Sequence, residues 1–323
     1  MRDKISSCPP LRKPAKMAKM DHMTSQPPPD LHFHIRQWGR RGDPPLVLVM
    51  GLGAPLLRWP ARFIDALVDR GLHVVAFDNR DAGRSTHLDQ LGRVSIAALL
   101  RDQRAGTAAP PPYTLADMAA DVLAVADRVG LDRVHVAGMS MGGMIAQTAA
   151  AIHPDRVASL VSIMSTTGNP DLPRPDPEAA AILYGPAPAI LDHASLVDHL
   201  AGQLHYLAGR LSPSVDHWRL QVARELAHGY SPAGVGRQLA AVIAAGDRRA
   251  QIGTITAPAL VLHGEADPLV RVEAGLDTAS TIAGATFRRY ADMAHHIPEV
   301  LAETLADDIA GFIHGLRDLT RSL

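Results

Sequence analysis

Between Val134 and Ile152 the chain carries no Asp, Glu, Lys or Arg. The run is long enough to suggest a membrane span, and Gly138 with Gly142 matches a helix-pairing G-x-x-x-G spacing. Polar His135, Ser140, Gln147 and Thr148 interrupt it, which disfavours that reading. A division into three parts fits better. Val134-His135-Val136-Ala137 has the character of a buried strand, Gly138 to Gly142 that of a tight turn, and Met144 onward that of a helix. A buried strand that turns at once into an apolar helix is the building unit of a layered α/β fold.

The same alternation extends to both sides. Leu31 to Arg36 alternates as an edge strand does, and Leu46-Val47-Leu48-Val49-Met50 is a continuous apolar run suited to a buried parallel strand. Trp59 to Arg70 has helical spacing and ends at Gly71; Leu72 to Phe77 is a further strand. Thr114 to Val129 is a helix opened by Thr114 and Asp117 at capping-box spacing. Strands over Arg133 to Ala137 and Arg156 to Met164 flank a helix over Gly143 to Ile152. From about Pro170 to Gly246 no buried strand is visible, and Leu196 to Leu211, Val215 to His228 and Pro232 to Ala245 read as helices. A strand over Ala259 to His263, a segment from Glu273 to Ile282, a strand over Ala285 to Tyr290 and a helix from Pro298 to Leu316 resume the pattern. A mostly parallel, doubly wound sheet follows, built from residues 31–169 and 247–323, with residues 170–246 as a helical insert, the segment that the resemblance named below implies is a cap. Residues 1–30 differ: they hold all the lysines (Lys4, Lys13, Lys16, Lys19) and a Pro27-Pro28-Pro29 run, the composition of a disordered tail. Met17, Met20 and Met23 are alternative starts within it.

Lys plus Arg number 32 against 33 Asp plus Glu, a balance that argues against a nucleic-acid binder. The single cysteine, Cys8, excludes an intramolecular disulfide and sits among prolines, a poor setting for a reactive thiolate. The amino-terminal residues lack an apolar h-region, so a cytoplasmic protein without membrane insertion is expected. None of the sixteen histidines pairs at zinc-ligand spacing, so no metal is expected. Gly51-Leu52-Gly53 after a strand has the outline of a dinucleotide fingerprint, with Asp78 as its acid. Its third glycine would fall at Leu56, so no cofactor is expected.

The chemistry concentrates in Gly138-Met139-Ser140-Met141-Gly142, a G-x-S-x-G pattern placed between strand and helix. A serine hydroxyl is a weak nucleophile unless exposed beside a base, and a sharp turn at a strand end exposes it. The following helix directs its positive end at the site, where an oxyanion would form. Extended by Gly143, the motif resembles the nucleophile elbow of bacterial carboxylesterases of the α/β-hydrolase superfamily, and the similarity runs from about Leu31 to Leu316. Val49-Met50-Gly51-Leu52-Gly53 and Phe77-Asp78-Asn79-Arg80-Asp81 resemble a subgroup near the polyketide (aclacinomycin-type) methylesterases.

That resemblance implies an α/β-hydrolase fold with a cap and a triad in the order serine, acid, histidine. Ser140 is the implied nucleophile. His263-Gly264-Glu265-Ala266-Asp267 follows a strand and supplies Asp267 as the acid, with Glu265 as the alternative. Asp292-Met293-Ala294-His295-His296 resembles the family's G-M-G-H loop and implies His295 as the base, with His296 as a rival. Asp292 and Ala294 replace the loop's glycines. The implied oxyanion donors are the backbone N–H groups of Met141 and Leu52. Asp78 to Ser85 resembles a D-x-R-G-x-G-x-S loop, with Asp81 in a glycine's place, and implies a supporting turn. Leu56, Leu57, Trp59, Tyr184, Leu204, Tyr206 and Trp218 are candidates for the pocket wall, Trp59 first among them as the substrate-binding residue. The expected activity is hydrolysis of a small-molecule carboxylic ester. A perhydrolase, a carbon–carbon bond hydrolase using the same triad, or a non-catalytic ligand-binding protein are the alternatives.

Overall fold

The computed structural model describes residues 31–185 and 192–321, with side chains to 316; the proposed tail over residues 1–30 lies outside the described residues. Seven strands form one sheet: β1 (Ile35–Trp38), β2 (Pro45–Val49), β3 (His73–Phe77), β4 (Val134–Met139), β5 (Val157–Ile163), β6 (Ala259–Gly264) and β7 (Thr286–Tyr290). Their order across the sheet is β1-β3-β2-β4-β5-β6-β7, and only β1 runs antiparallel to its neighbour. The helices are α1 (Ala61–Asp69), α2 (Ile96–Ala105), α3 (Leu115–Arg128), α4 (Met141–Ile152), α5 (Pro177–Tyr184), α6 (His193–Ala208), α7 (Val215–His228), α8 (Pro232–Ala245), α9 (Arg249–Ile252), α10 (Val272–Thr281) and α11 (Glu299–Arg321). This is the mostly parallel, doubly wound sheet expected from the alternation of apolar runs, in the α/β-hydrolase architecture that the resemblance implies.

Successive side chains of a strand face opposite sides of a sheet, so a doubly covered strand must be apolar throughout. In β2, Val47 and Val49 join a core with α3 and α4 residues Val122, Val125, Met144 and Ile145. Leu46 and Leu48 join the opposite core with Phe63 and Leu67 of α1 and Leu305 and Ile309 of α11. The uncharged Val134 to Ile152 run is thus β4 and α4, buried between these layers. Among the described residues, no helix is long and apolar enough to cross a membrane.

The Thr114–Asp117 capping box forms as expected, with each side chain accepting from the other residue's backbone N–H. The edge strand is displaced: it spans Ile35–Trp38, not Leu31 to Arg36. Its partner β3 ends at Phe77, opposite Ile35. The earlier residues therefore bond to the irregular turn beyond β3: His32 O accepts from Thr86 N at 2.9 Å, and His34 N donates to Ser85 Oγ at 2.9 Å. Leu31 and Phe33 still bury inward, which is what produced the alternation. Helix α2, and α5 within the insert, have no counterpart in the sequence reading. Between β5 and β6, helices α6 and α7 share a small core of their own around Ala201, Ala208, Trp218 and Val222.

Candidate active site

β2 leaves the sheet centre for β3 on one side, while β4 pairs with it on the other. Loops at the carboxyl ends of two such strands diverge and leave a crevice. Val49 stands level with Gly138, so the loop after β2 and the elbow after β4 emerge side by side. Their contact is close: a Cβ on Gly51 would sit 3.3 Å from Ser140 Cβ.

Ser140 occupies the turn with φ 57° and ψ −122°, a conformation costly for any residue with a side chain. Its neighbours explain how it is held. A Cβ on Gly138 would lie 2.0 Å from Gly142 O, and one on Gly142 would lie 2.0 Å from Val49 O, so neither site accepts a larger residue. Ser140 N donates to Ile163 O at 2.9 Å, and Ser165 Oγ donates to Ser140 O at 2.8 Å. Ser140 is the N-cap of α4 and Met141 its first residue, so the backbone N–H of Met141 belongs to the positive end of the helix.

The acid and histidine loops are laced together. Glu265 N donates to Tyr290 O at 3.0 Å and Ala266 N to Met293 O at 3.1 Å. A Cβ on Gly264 would lie 2.0 Å from Met293 O, which explains the glycine there. In consequence His295 Nδ1 lies 2.7 Å from Asp267 Oδ2, and His295 Nε2 lies 3.0 Å from Ser140 Oγ. The other carboxylate oxygen, Asp267 Oδ1, accepts from the backbone N–H groups of Leu269 and Val270, each at 2.8 Å. Asp267 is 1% exposed, so its charge faces the imidazole at low dielectric. Ser140, His295 and Asp267, far apart in the chain, meet in one hydrogen-bonded line.

The glycine replacements in the histidine loop face the insert. Ala294 is wholly buried, and its Cβ would be 2.8 Å from a Cβ on Gly209; Asp292 pairs with Arg210 at 3.4 Å. His295 N itself donates to Leu207 O at the end of α6, at 2.9 Å. The rival residues have other surroundings. Glu265 pairs with Arg289 at 3.2 Å on the surface. His296 turns its ring edge to Trp218, 6.0 Å away, and both its nitrogens are buried without a partner.

Burial, with the nearby His295 adding to it, pushes the His296 imidazole down to about 4. Between about pH 6.5 and 4 the unfolded chain binds a proton there that the folded chain excludes, so stability falls as pH drops through this window. The full loss is about 3 kcal/mol. His296→Phe, which keeps the ring and removes the titration, is expected to flatten this part of the pH–stability curve. Urea unfolding midpoints at pH 7 and pH 5 measure it; equal slopes in both proteins would rule the explanation out.

A cavity of about 500 Å³ opens over Ser140 and His295. Leu52 and Met141 line it, as do Met50, Met139 and Met144 from the sheet side and Leu200, Leu204, Tyr184, Val222 and Leu239 from the insert. Its size is that of a small-molecule site. Of the expected wall residues, Tyr184 and Leu204 reach it; Leu56, Leu57, Tyr206 and Trp218 are not part of the lining. Trp59 also requires correction. It is 3% exposed and stacks on Phe63 with centroids 5.7 Å apart, inside the core under α1. A 3-10 turn over Leu56–Arg58 swings the chain away from the crevice before Trp59 is reached, and Arg58 takes its place at the wall.

Several supporting residues were invisible to sequence reasoning. Gln238 of α8 is fully buried; its Oε1 accepts from Gly53 N at 2.7 Å, and its Nε2 donates to Arg80 O. Asn79 Nδ2 donates to Met50 O at 2.8 Å, fixing the other end of the same loop. Asp81 stands in for glycine at φ 67°, and Arg237 of α8 meets its carboxylate with two bonds, at 2.8 and 2.6 Å. Tyr113 OH and Leu88 N also donate to that carboxylate, so its buried charge is fully bonded. Arg58 pairs with Glu225 on the cavity wall. No local spacing signals such contacts; those made by Gln238, Arg237 and the Arg58–Glu225 pair join residues more than a hundred positions apart.

Comparison with known proteins agrees with this architecture. A family model for the alpha/beta hydrolase fold matches residues 44–191. Rhodomycin D methylesterase DauP of Streptomyces sp. strain C5 is 28% identical over 293 residues, covering 83% of this chain and 90% of the relative. The chain has the α/β-hydrolase fold. The chain is also 26% identical to the 2-hydroxy-6-oxononadienedioate/2-hydroxy-6-oxononatrienedioate hydrolase of Klebsiella pneumoniae, covering 82% of this chain and 85% of that one. Among solved structures, a thermophilic esterase from Thermogutta terrifontis superposes with a TM-score of 0.62 at 19% identity, over 88% of this hydrolase and 94% of the esterase. At that identity the likeness concerns the fold.

Proposed function

We propose that this α/β hydrolase cleaves carboxylic esters through an acyl-serine intermediate. The observation that carries the reading is the unbroken line Ser140 Oγ, His295 Nε2, His295 Nδ1, Asp267 Oδ2, with steps of 3.0 Å and 2.7 Å, at the floor of a mostly apolar cavity. His295 Nε2 takes the hydroxyl proton as Ser140 Oγ attacks the ester carbonyl. Asp267 holds the tautomer with the Nδ1 proton and stabilises the imidazolium that forms. The N–H groups of Met141 and Leu52 receive the oxyanion; both residues line the cavity, and Gly53 and Gly51 let the loop turn close to Ser140. Imidazolium then protonates the departing alcohol, and water, deprotonated by His295, releases the acid and the free serine. The helical segment from α5 to α8 acts as a cap, closing the cavity above the nucleophile. The name of the Streptomyces relative favours a methyl ester of a larger acid, and the cavity has room for one.

The same triad serves a carbon–carbon bond hydrolase, a reading that the name of the Klebsiella relative favours. Stopped-flow mixing with a p-nitrophenyl ester decides for ester cleavage. The expected result is a burst of one nitrophenolate per chain, followed by slower turnover, the kinetic mark of an acyl-enzyme. Nitrophenolate release no faster than in buffer, from protein with an intact fold, would refute it.

A further inference from the structure

We propose that His34, Asp78 and His228 form a binding site for one divalent cation of zinc-like character, which joins the end of α7 to the carboxyl end of β3. One ligand atom from each lies within 4.8 Å of the other two. A tetrahedral zinc ion at its usual bond lengths holds ligand atoms about 3.4 Å apart, so the three need to close by no more than about 1.4 Å, with water as the fourth ligand.

The cluster lies outside the triad and is built as a site. Asp78 is fully buried and His228 is 8% exposed. Asp78 is already oriented: Oδ1 accepts from Leu56 N at 2.6 Å, and Oδ2 from Arg84 N at 2.9 Å and from His228 Nε2 at 2.7 Å. Backbone bonds of this kind fix a ligating carboxylate in place. Glycine keeps the space clear, since a Cβ on Gly83 would lie 2.2 Å from Asp78 Oδ2. The independent observation is His34. Its Nε2 is buried and has no hydrogen-bond partner, although the His34 and His228 rings are only 5.0 Å apart. An orphaned buried nitrogen beside a carboxylate and a second imidazole matches the donor set that divalent zinc takes. The His228–Asp78 bond satisfies those two groups without metal, so the chain folds either way and the ion adds to it. Leu56 N follows the loop after β2, and Gly229, next to His228, lines the cavity, so an ion here would stiffen one wall of the active site.

Chelator-stripped, untagged protein is titrated with zinc chloride by calorimetry, and bound metal is counted by mass spectrometry. One zinc per chain is expected, with a melting temperature about 5 °C higher at a hundredfold excess over Kd. His34→Gln and His34→Ala are expected to weaken binding at least about tenfold. In chelator both should leave p-nitrophenyl ester turnover unchanged, since His34 takes no part in the triad. His228→Gln, which retains a donor for Asp78, should lose binding as well. Less than about one-fifth of an equivalent bound at about 100 µM zinc, or wild-type affinity in both the His34→Ala and His228→Gln proteins, overturns the proposal.

Discussion

Ser140→Ala is expected to lower kcat for a p-nitrophenyl ester by at least about 10⁴-fold, a barrier increase of about 5.5 kcal/mol. In the proposed mechanism this hydroxyl forms the covalent bond, and among the described residues no other hydroxyl is hydrogen-bonded to His295 Nε2. Ser165 is near, but its Oγ donates to Ser140 O at 2.8 Å. Alanine keeps the Cβ that the strained backbone at φ 57° already accommodates, so the fold should be retained and the melting temperature little changed. The residual rate should reflect oxyanion stabilisation and binding alone. Steady-state kinetics beside circular dichroism checks both points. A folded Ser140→Ala protein retaining a tenth of wild-type turnover would remove the acyl-serine mechanism.

Asp267→Asn is expected to cost about 10³–10⁴-fold in kcat with a small change in KM. The carboxylate serves two directions at once: Oδ1 takes two backbone N–H groups and Oδ2 takes His295 Nδ1–H. An asparagine has one acceptor oxygen. If that oxygen stays with Leu269 and Val270, the amide NH₂ faces His295 Nδ1 and forces it to accept. The imidazole proton then sits on Nε2, pointing at Ser140 Oγ, and the base is lost. Size and hydrogen-bond count at the buried site are kept, so stability should fall by no more than about 1–3 kcal/mol. A kcat within tenfold of wild type would mean that Asp267 only orients the loop, and that the imidazole is set by something else.

Much of this was legible in the chain itself. Buried parallel strands must be apolar on both faces, so β2, β3, β4, β5 and β6 announced themselves as short apolar runs. Gly138, Ser140 and Gly142 were readable because the elbow is a local structure whose steric demands fall on adjacent positions. Asp267 and His295 could be named from loops of familiar form, although their meeting with Ser140 could not be derived from either loop alone. The first strand was misplaced for a simple reason: burial and pairing are different things, and Leu31 and Phe33 bury without a partner strand. Trp59 failed because a single 3-10 turn redirects the backbone, and its side chain fills the core like any other large apolar residue.

By itself the sequence determined the layered α/β plan, the strained serine turn and the kinds of residue at the site, since these rest on interactions among near neighbours or on one face of one element. Tertiary structure alone decided which side chains form the cavity wall and how the loops are braced. Gln238 on Gly53, Arg237 on Asp81, Gly209 against Ala294 and the approach of His34 to His228 all join segments remote in sequence. Contacts of that kind are set by how whole layers pack, and a polar side chain carries no mark in its own neighbourhood of the partner that packing will bring to it.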